Sequence, residues 1–151
     1  MNEEQYMQLA IDEATKAAWP FGAVIVKDGE IIAQAGSGDG QDETHDPTAH
    51  AEVNAIRRAS LKLKGDLKGA TLYASCEPCA LCFGASWYAG IRNIVYGSSI
   101  KDLQEIDYLK DGDLVFPHEH VSESDVEVKT GVLRDKVMDM YKSHSKAKQW
   151  L

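Results

Sequence analysis

His50 and Glu52 stand two residues apart in PTAHAEVNAIRRAS, and further along ASCEPCALCFGA spaces Cys76, Cys79 and Cys82 by three. Imidazole nitrogen and thiolate sulfur are common zinc donors, and a catalytic zinc keeps one of its four positions open for water. Cys79 and Cys82, at i and i+3 in the first turn of a helix, can point to one side, where the helix N-terminus stabilises thiolate charge. His50, at the start of another helix, can supply a third donor. Glu52 is then a free carboxylate beside the metal, suited to acid/base work. A closed Cys3His set of His50, Cys76, Cys79 and Cys82 competes with this arrangement. It would be a structural zinc clip in a non-catalytic binding protein, with Glu52 a solvated helix residue. Against it, Cys76 ends an apolar strand and is expected to bury as a small hydrophobe. A redox pair of Cys79 and Cys82 is a third reading, but it leaves His50, Glu52 and Pro78 unexplained.

Regular elements must bring these residues together. Tyr6, Leu9, Ala10, Ala14, Ala17 and Ala18 recur at helical spacing over residues 3–18, with Pro20 as the stop. FGAVIVKDGEIIAQAG reads as two strands around Lys27-Asp28-Gly29, a hairpin signal. A polar loop follows, and Thr48 is a candidate cap for a helix over 49–60. GATLYAS reads as a buried strand, and Pro78 suits the first turn of a helix over 78–89. RNIVYG is a further strand, LQEIDYLK is weakly helical and VEVKTG is a short strand. Residues 132–148 form a last helix with Leu133, Val137, Met140 and Tyr141 on one face. A hairpin followed by alternating helices and strands predicts a three-layer α/β/α fold around a mixed sheet of about five strands.

The 151 residues suffice for one domain spanning 1–151. Apolar residues make up 44% and charged residues 26%, as in a soluble globular protein, and no apolar run is long enough to span a membrane. The N-terminus is acidic and amphipathic, unlike a secretory signal, so a cytoplasmic location is expected. Three closely spaced cysteines fit a metal site in a reducing compartment better than a disulfide framework. A net charge of −8 argues against a broad nucleic-acid footprint and favours a small substrate.

The pair His50-Ala51-Glu52 and Pro78-Cys79-Ala80-Leu81-Cys82 matches the H-x-E and P-C-x-x-C signature of zinc nucleobase deaminases. Together with PFGAVIVKDGEIIAQ, HDPTAHAEVNAIRRA and LYASCEPCALCFGA, it resembles the cytidine-deaminase-like superfamily. The likeness is to the branch of bacterial guanine deaminases, fungal cytosine deaminases and tRNA adenosine deaminases. The resemblance implies a five-stranded α/β/α fold, a homodimer, one zinc per chain, and hydrolysis of a ring amine to a carbonyl with release of ammonia. It implies that His50, Cys79 and Cys82 hold the zinc and that Glu52 shuttles protons. It also implies that the Ala51 N–H and the Glu77 carbonyl contact the ring.

Phe21 and Tyr88 are aromatic candidates for sandwiching a planar ring, with plain core packing as the alternative for each. SCEPC and the terminal aromatic Trp150 are similar to free-base deaminases, in which a terminal segment covers the pocket. Guanine is therefore the first expected ring and cytosine the second, within purine metabolism. A tRNA adenosine deaminase is the alternative, supported by the layout of residues 126–148 with Lys136, Lys142, Lys146 and Lys148. Asp39 is read as standing where these families usually carry an asparagine. An ionised Asp only accepts hydrogen bonds, so the preferred ring edge is expected to differ.

Overall fold

The computed structural model describes residues 1–38, 46–109 and 118–144. The first helix, α1 (Glu3–Lys16), starts at Asn2, whose side chain accepts from Gln5 N while the Gln5 side chain accepts from Asn2 N. This reciprocal capping satisfies donors that the first turn leaves free. The buried face carries Tyr6, Met7, Ala10, Ile11 and Ala14. Ala17 is already extended, so the helix ends before the Ala17 and Ala18 that the periodicity suggested.

Strands β1 (Trp19–Lys27) and β2 (Glu30–Ser37) form the expected antiparallel hairpin. Asp28 and Gly29 both have positive φ, at 53° and 78°, as the two central residues of a type I′ turn require. At Gly22 a side chain is excluded, because a Cβ would lie 2.0 Å from the Ala10 carbonyl oxygen. That close approach seats α1 on β1.

Next come α2 (Ala51–Leu63), β3 (Thr71–Cys76), α3 (Ala80–Tyr88), β4 (Asn93–Ser98) and α4 (Ile100–Glu105). They are followed by α5 (His118–Glu123), β5 (Glu127–Lys129) and α6 (Arg134–Ser143). The sheet order is β2-β1-β3-β4-β5, with β1 antiparallel to β2 and β3, and β3, β4 and β5 parallel. Alternation along the strands divides the core. Val24, Val26, Tyr73 and Val95 pack with α1, α4 and α6. Ala23, Ile25, Leu72 and Ile94 pack with α2 and α3. The three layers and the mixed sheet match the expectation.

Several local expectations need correction. The cap of α2 is His50, not Thr48, because Thr48 turns back and its N–H and hydroxyl both donate to the Asp46 carboxylate. Pro78 precedes α3 without entering its first turn; Cys79 is the cap. Helix α4 begins earlier than LQEIDYLK, because Ser99 and Asp102 form a capping box. Helix α5 has no counterpart in the sequence reading. Leu133 caps α6 with a positive φ of 54°, so the described helix starts at Arg134 and not at residue 132. Among the described residues, no helix is long and apolar enough to cross a membrane.

Candidate metal centre and cavity

His50 reaches the site from the N-terminus of α2, and the approach to it is fixed by backbone bonds. Gly38 N donates to the Ala49 carbonyl at 2.9 Å, and the buried Asn54 side chain donates to the carbonyls of Gly36 and Ala49. As cap of α2, His50 makes no side-chain capping hydrogen bond. Cys79 caps α3, and Cys82 lies three residues further on that helix. His50, Cys79 and Cys82 offer ligand atoms that all lie within 4.8 Å of one another.

The spacing tests the fit to zinc. Tetrahedral bonds of about 2.3 Å to sulfur and about 2.0–2.1 Å to nitrogen place two sulfurs about 3.8 Å apart, and sulfur about 3.6 Å from nitrogen. The sulfurs of Cys79 and Cys82 are 3.6 Å apart, and they lie 3.5 and 3.4 Å from His50 Nδ1. This donor set fits one zinc ion. Cys79 is also set up as a thiolate. Its pKa is lowered to about 4, first by the hydrogen bond with Cys82 and then, against the cost of burial, by His50. The same hydrogen bond, with burial and Glu52 adding to it, pushes Cys82 upward.

Cys76 stands apart from this group. It is buried in the core cluster that includes Tyr108 and Tyr141, and burial foremost raises its thiol well above the ordinary value. The described residues therefore do not assemble a closed Cys3His clip. Glu52, on the first turn of α2, is only 7% exposed, and its Oε2 lies 3.3 Å from Cys82 Sγ. Burial is the main cause that raises its pKa to about 7, which keeps a proton within reach near neutral pH.

These residues border a cavity of about 370 Å³. His50, Ala51, Glu52, Glu77 and Cys79 line it, as do Trp19, Phe21 and Leu109. Ala51 is the first helical residue of α2, where a backbone N–H has no intrahelical acceptor. Phe21 is thus on the cavity wall, backed by Tyr141 at a ring separation of 5.7 Å. Tyr88 is not. It is 86% exposed at the far end of α3, nine residues past Cys79. A rise of 1.5 Å per residue carries it about 13 Å along the axis. Asp39 and Trp150 lie outside the described residues.

Trp19, Ser37 and Leu109 are among the wall residues not singled out in the sequence. Trp19 and Ser37 face each other across the hairpin's open end, and Leu109 follows α4. The signal for Trp19 is its alternation with Phe21 along β1, which sends both side chains to one face. Ser37 becomes legible only through the pairing of Trp19 with Ser37.

The profile of the cytidine and deoxycytidylate deaminase zinc-binding region matches residues 1–98. The chain is 42% identical over 114 residues to guanine deaminase from Bacillus subtilis (strain 168), covering 70% of each protein. It is 44% identical over 98 residues to the tRNA-specific adenosine deaminase of Agrobacterium fabrum (strain C58 / ATCC 33970), covering 62% of this chain and 63% of that one. A solved structure from work on A-to-I editing by tRNA:A34 deaminases superposes with a TM-score of 0.73 at 32% identity, over 90% of this chain and 98% of the other. With its zinc-compatible donor set and α/β/α fold, the chain belongs to the cytidine and deoxycytidylate deaminase family and is a zinc-dependent deaminase.

Proposed function

We propose that the protein hydrolyses the ring amine of a free nucleobase or related aminated heterocycle, with guanine as first choice and cytosine as second. Water adds at the amine-bearing ring carbon, the carbon–nitrogen bond breaks, and a carbonyl and ammonia result. His50, Cys79 and Cys82 would hold one zinc. When bound, the zinc lowers the pKa of water so that a nucleophile is available near neutral pH.

The single observation that carries this reading is the position of Glu52. A carboxyl buried beside Cys82, in a cavity large enough for a small ring, has no evident role as a structural residue. Its Oε2 can take a proton from water, pass it to a ring nitrogen and then protonate the departing amine. The Ala51 N–H and the Glu77 carbonyl are assigned to the ring edge by family resemblance. Phe21 and Leu109 supply apolar wall against the ring faces and help to exclude bulk water.

A free base is preferred over tRNA because the net charge of −8 opposes phosphate binding. The tRNA reading is kept by the likeness to tRNA deaminases. We also propose that the active form is a homodimer. Ammonia release from guanine, cytosine, adenosine and a tRNA substrate, measured in parallel on zinc-loaded protein, tests the substrate. Turnover of guanine at least about tenfold above the rest is expected. Turnover of tRNA alone would replace the free-base reading.

A further inference from the structure

Strands β3 and β4 are parallel neighbours whose last paired residues are Cys76 and Ser98. Beyond that pair the chain leaves in opposite directions. The segment after Cys76 enters α3, whose Phe83 packs on one face of the sheet, and the segment after Ser98 enters α4, whose Ile100 and Leu103 pack on the other. Such divergence opens a crevice at the carboxyl ends of the strands, where ligands sit in open α/β sheets.

Glu77, the first residue past Cys76, bridges this crevice with two bonds. Its N–H donates to the Ser98 carbonyl at 2.8 Å, and its Oε2 accepts from Ile100 N at 3.0 Å. Ile100 opens α4, so its N–H is one that the helix itself cannot satisfy. The Ser99–Asp102 capping box secures the same turn. Four residues beyond the end of α4 stands Leu109 on the cavity wall, preceded by Tyr108, whose ring centre lies 6.1 Å from that of Phe21.

We propose that Glu77 is a positioning residue whose carboxylate pins the start of α4 to the loop bearing Cys79, and so sets where the Leu109 and Phe21 wall stands relative to the metal ligands. This rests on the reading of the cavity as the ring-binding site. A direct role of the Glu77 carboxylate on the substrate is disfavoured because Oε2 is already engaged by Ile100. The pin acts on the wall that grips the ring, so binding should suffer more than chemistry.

The test uses full-length, zinc-loaded protein with Glu77→Ala and Glu77→Gln. Gln keeps a carbonyl acceptor for the Ile100 amide and loses the charge; Ala loses both. Amide hydrogen exchange at Ile100 is expected to quicken by about tenfold or more in Glu77→Ala and to stay slow in Glu77→Gln. With guanine as substrate, Glu77→Ala should raise KM by about tenfold or more while kcat stays within about threefold, and Glu77→Gln should recover most of the KM. Zinc content should stay at one per chain in both. If Glu77→Ala does not fold, Glu77→Asp, one methylene too short for the bond, takes its place. Equal defects in the Ala and Gln variants would overturn the proposal, as would unchanged exchange in Ala, or a collapse of kcat with KM intact. If the unsubstituted protein releases no ammonia from guanine, cytosine, adenosine or tRNA, the ring-binding reading fails on that panel alone, while the exchange pair still decides whether Glu77 holds α4.

Discussion

Glu52 Oε2 lies 3.3 Å from Cys82 Sγ, so the one buried carboxyl of α2 touches a metal-ligand sulfur without belonging to the ligand set. The contact joins the first turn of α2 to the first turn of α3. It places a titratable carboxyl beside the metal centre, with burial as the main cause holding its pKa near 7.

Glu52→Gln keeps the size and leaves all three ligands in place, so fold and zinc content should be unchanged. Turnover should drop by at least about 10²-fold, the ordinary loss when a positioned acid/base is removed. Metal analysis, circular dichroism and ammonia release on one preparation check this. Full activity would remove Glu52 from the reaction.

The three cysteines should separate cleanly. Cys79→Ser and Cys82→Ser each replace a soft donor in a site that has three protein donors among the described residues, and should lose the zinc. Cys76→Ser alters a core position outside that group, so zinc should remain at one per chain, with a stability loss of about 1–2 kcal/mol from placing a hydroxyl in an apolar cluster. Loss of zinc from Cys76→Ser would revive the closed Cys3His clip.

The ligand set was legible because its spacing is local: Cys79 and Cys82 sit on one helical turn, and His50 and Glu52 on another. Much of the cavity wall was not. Trp19 and Ser37 meet only because the hairpin pairs them, and Leu109 arrives through α4, whose start depends on the Ser99–Asp102 cap. Tyr88 misled because closeness to Cys82 in sequence becomes distance along a helix axis. Thr48 misled because Asp46, two residues back, competes for it more closely than the helix does. The layered core was legible from the order of the elements, since a hairpin followed by alternating helices and strands calls for a sheet covered by helices on both faces.

The proposed homodimer has a candidate surface on α3, where Leu81, Trp87 and Tyr88 are exposed together. Trp87 is held in place by its Nε1–H donating to the Ser124 carbonyl and by Arg92 over its ring at 4.8 Å. Light scattering should give twice the chain mass, and Tyr88→Ser should weaken self-association by about tenfold or more, as for loss of an exposed aromatic anchor. A monomer at working concentration would contradict the homodimer.

The joint between α4 and α6 should make stability fall in acid. Arg134 at the start of α6 donates to Asp102 at 2.6 Å, and Ser99 N donates to the same carboxylate at 2.8 Å. Arg134 is the first cause that holds Asp102 at about 2, with Ser99 contributing and partial burial opposing. In the unfolded chain the carboxyl returns to about 3.9. Between those values the unfolded state binds more protons than the folded state, so stability falls as pH falls. The contribution is complete above about pH 5 and disappears as pH drops through about 4 toward 2. Because Arg134 is exposed, solvent screening limits it to on the order of 1 kcal/mol. Asp102→Asn retains an acceptor for the cap but not the charge. Denaturant unfolding should therefore show the variant less stable by about that amount at pH 7, with the gap closing by about pH 2. A gap that stays constant over this range would mean that the capping geometry, and not the ion pair with Arg134, is what Asp102 contributes.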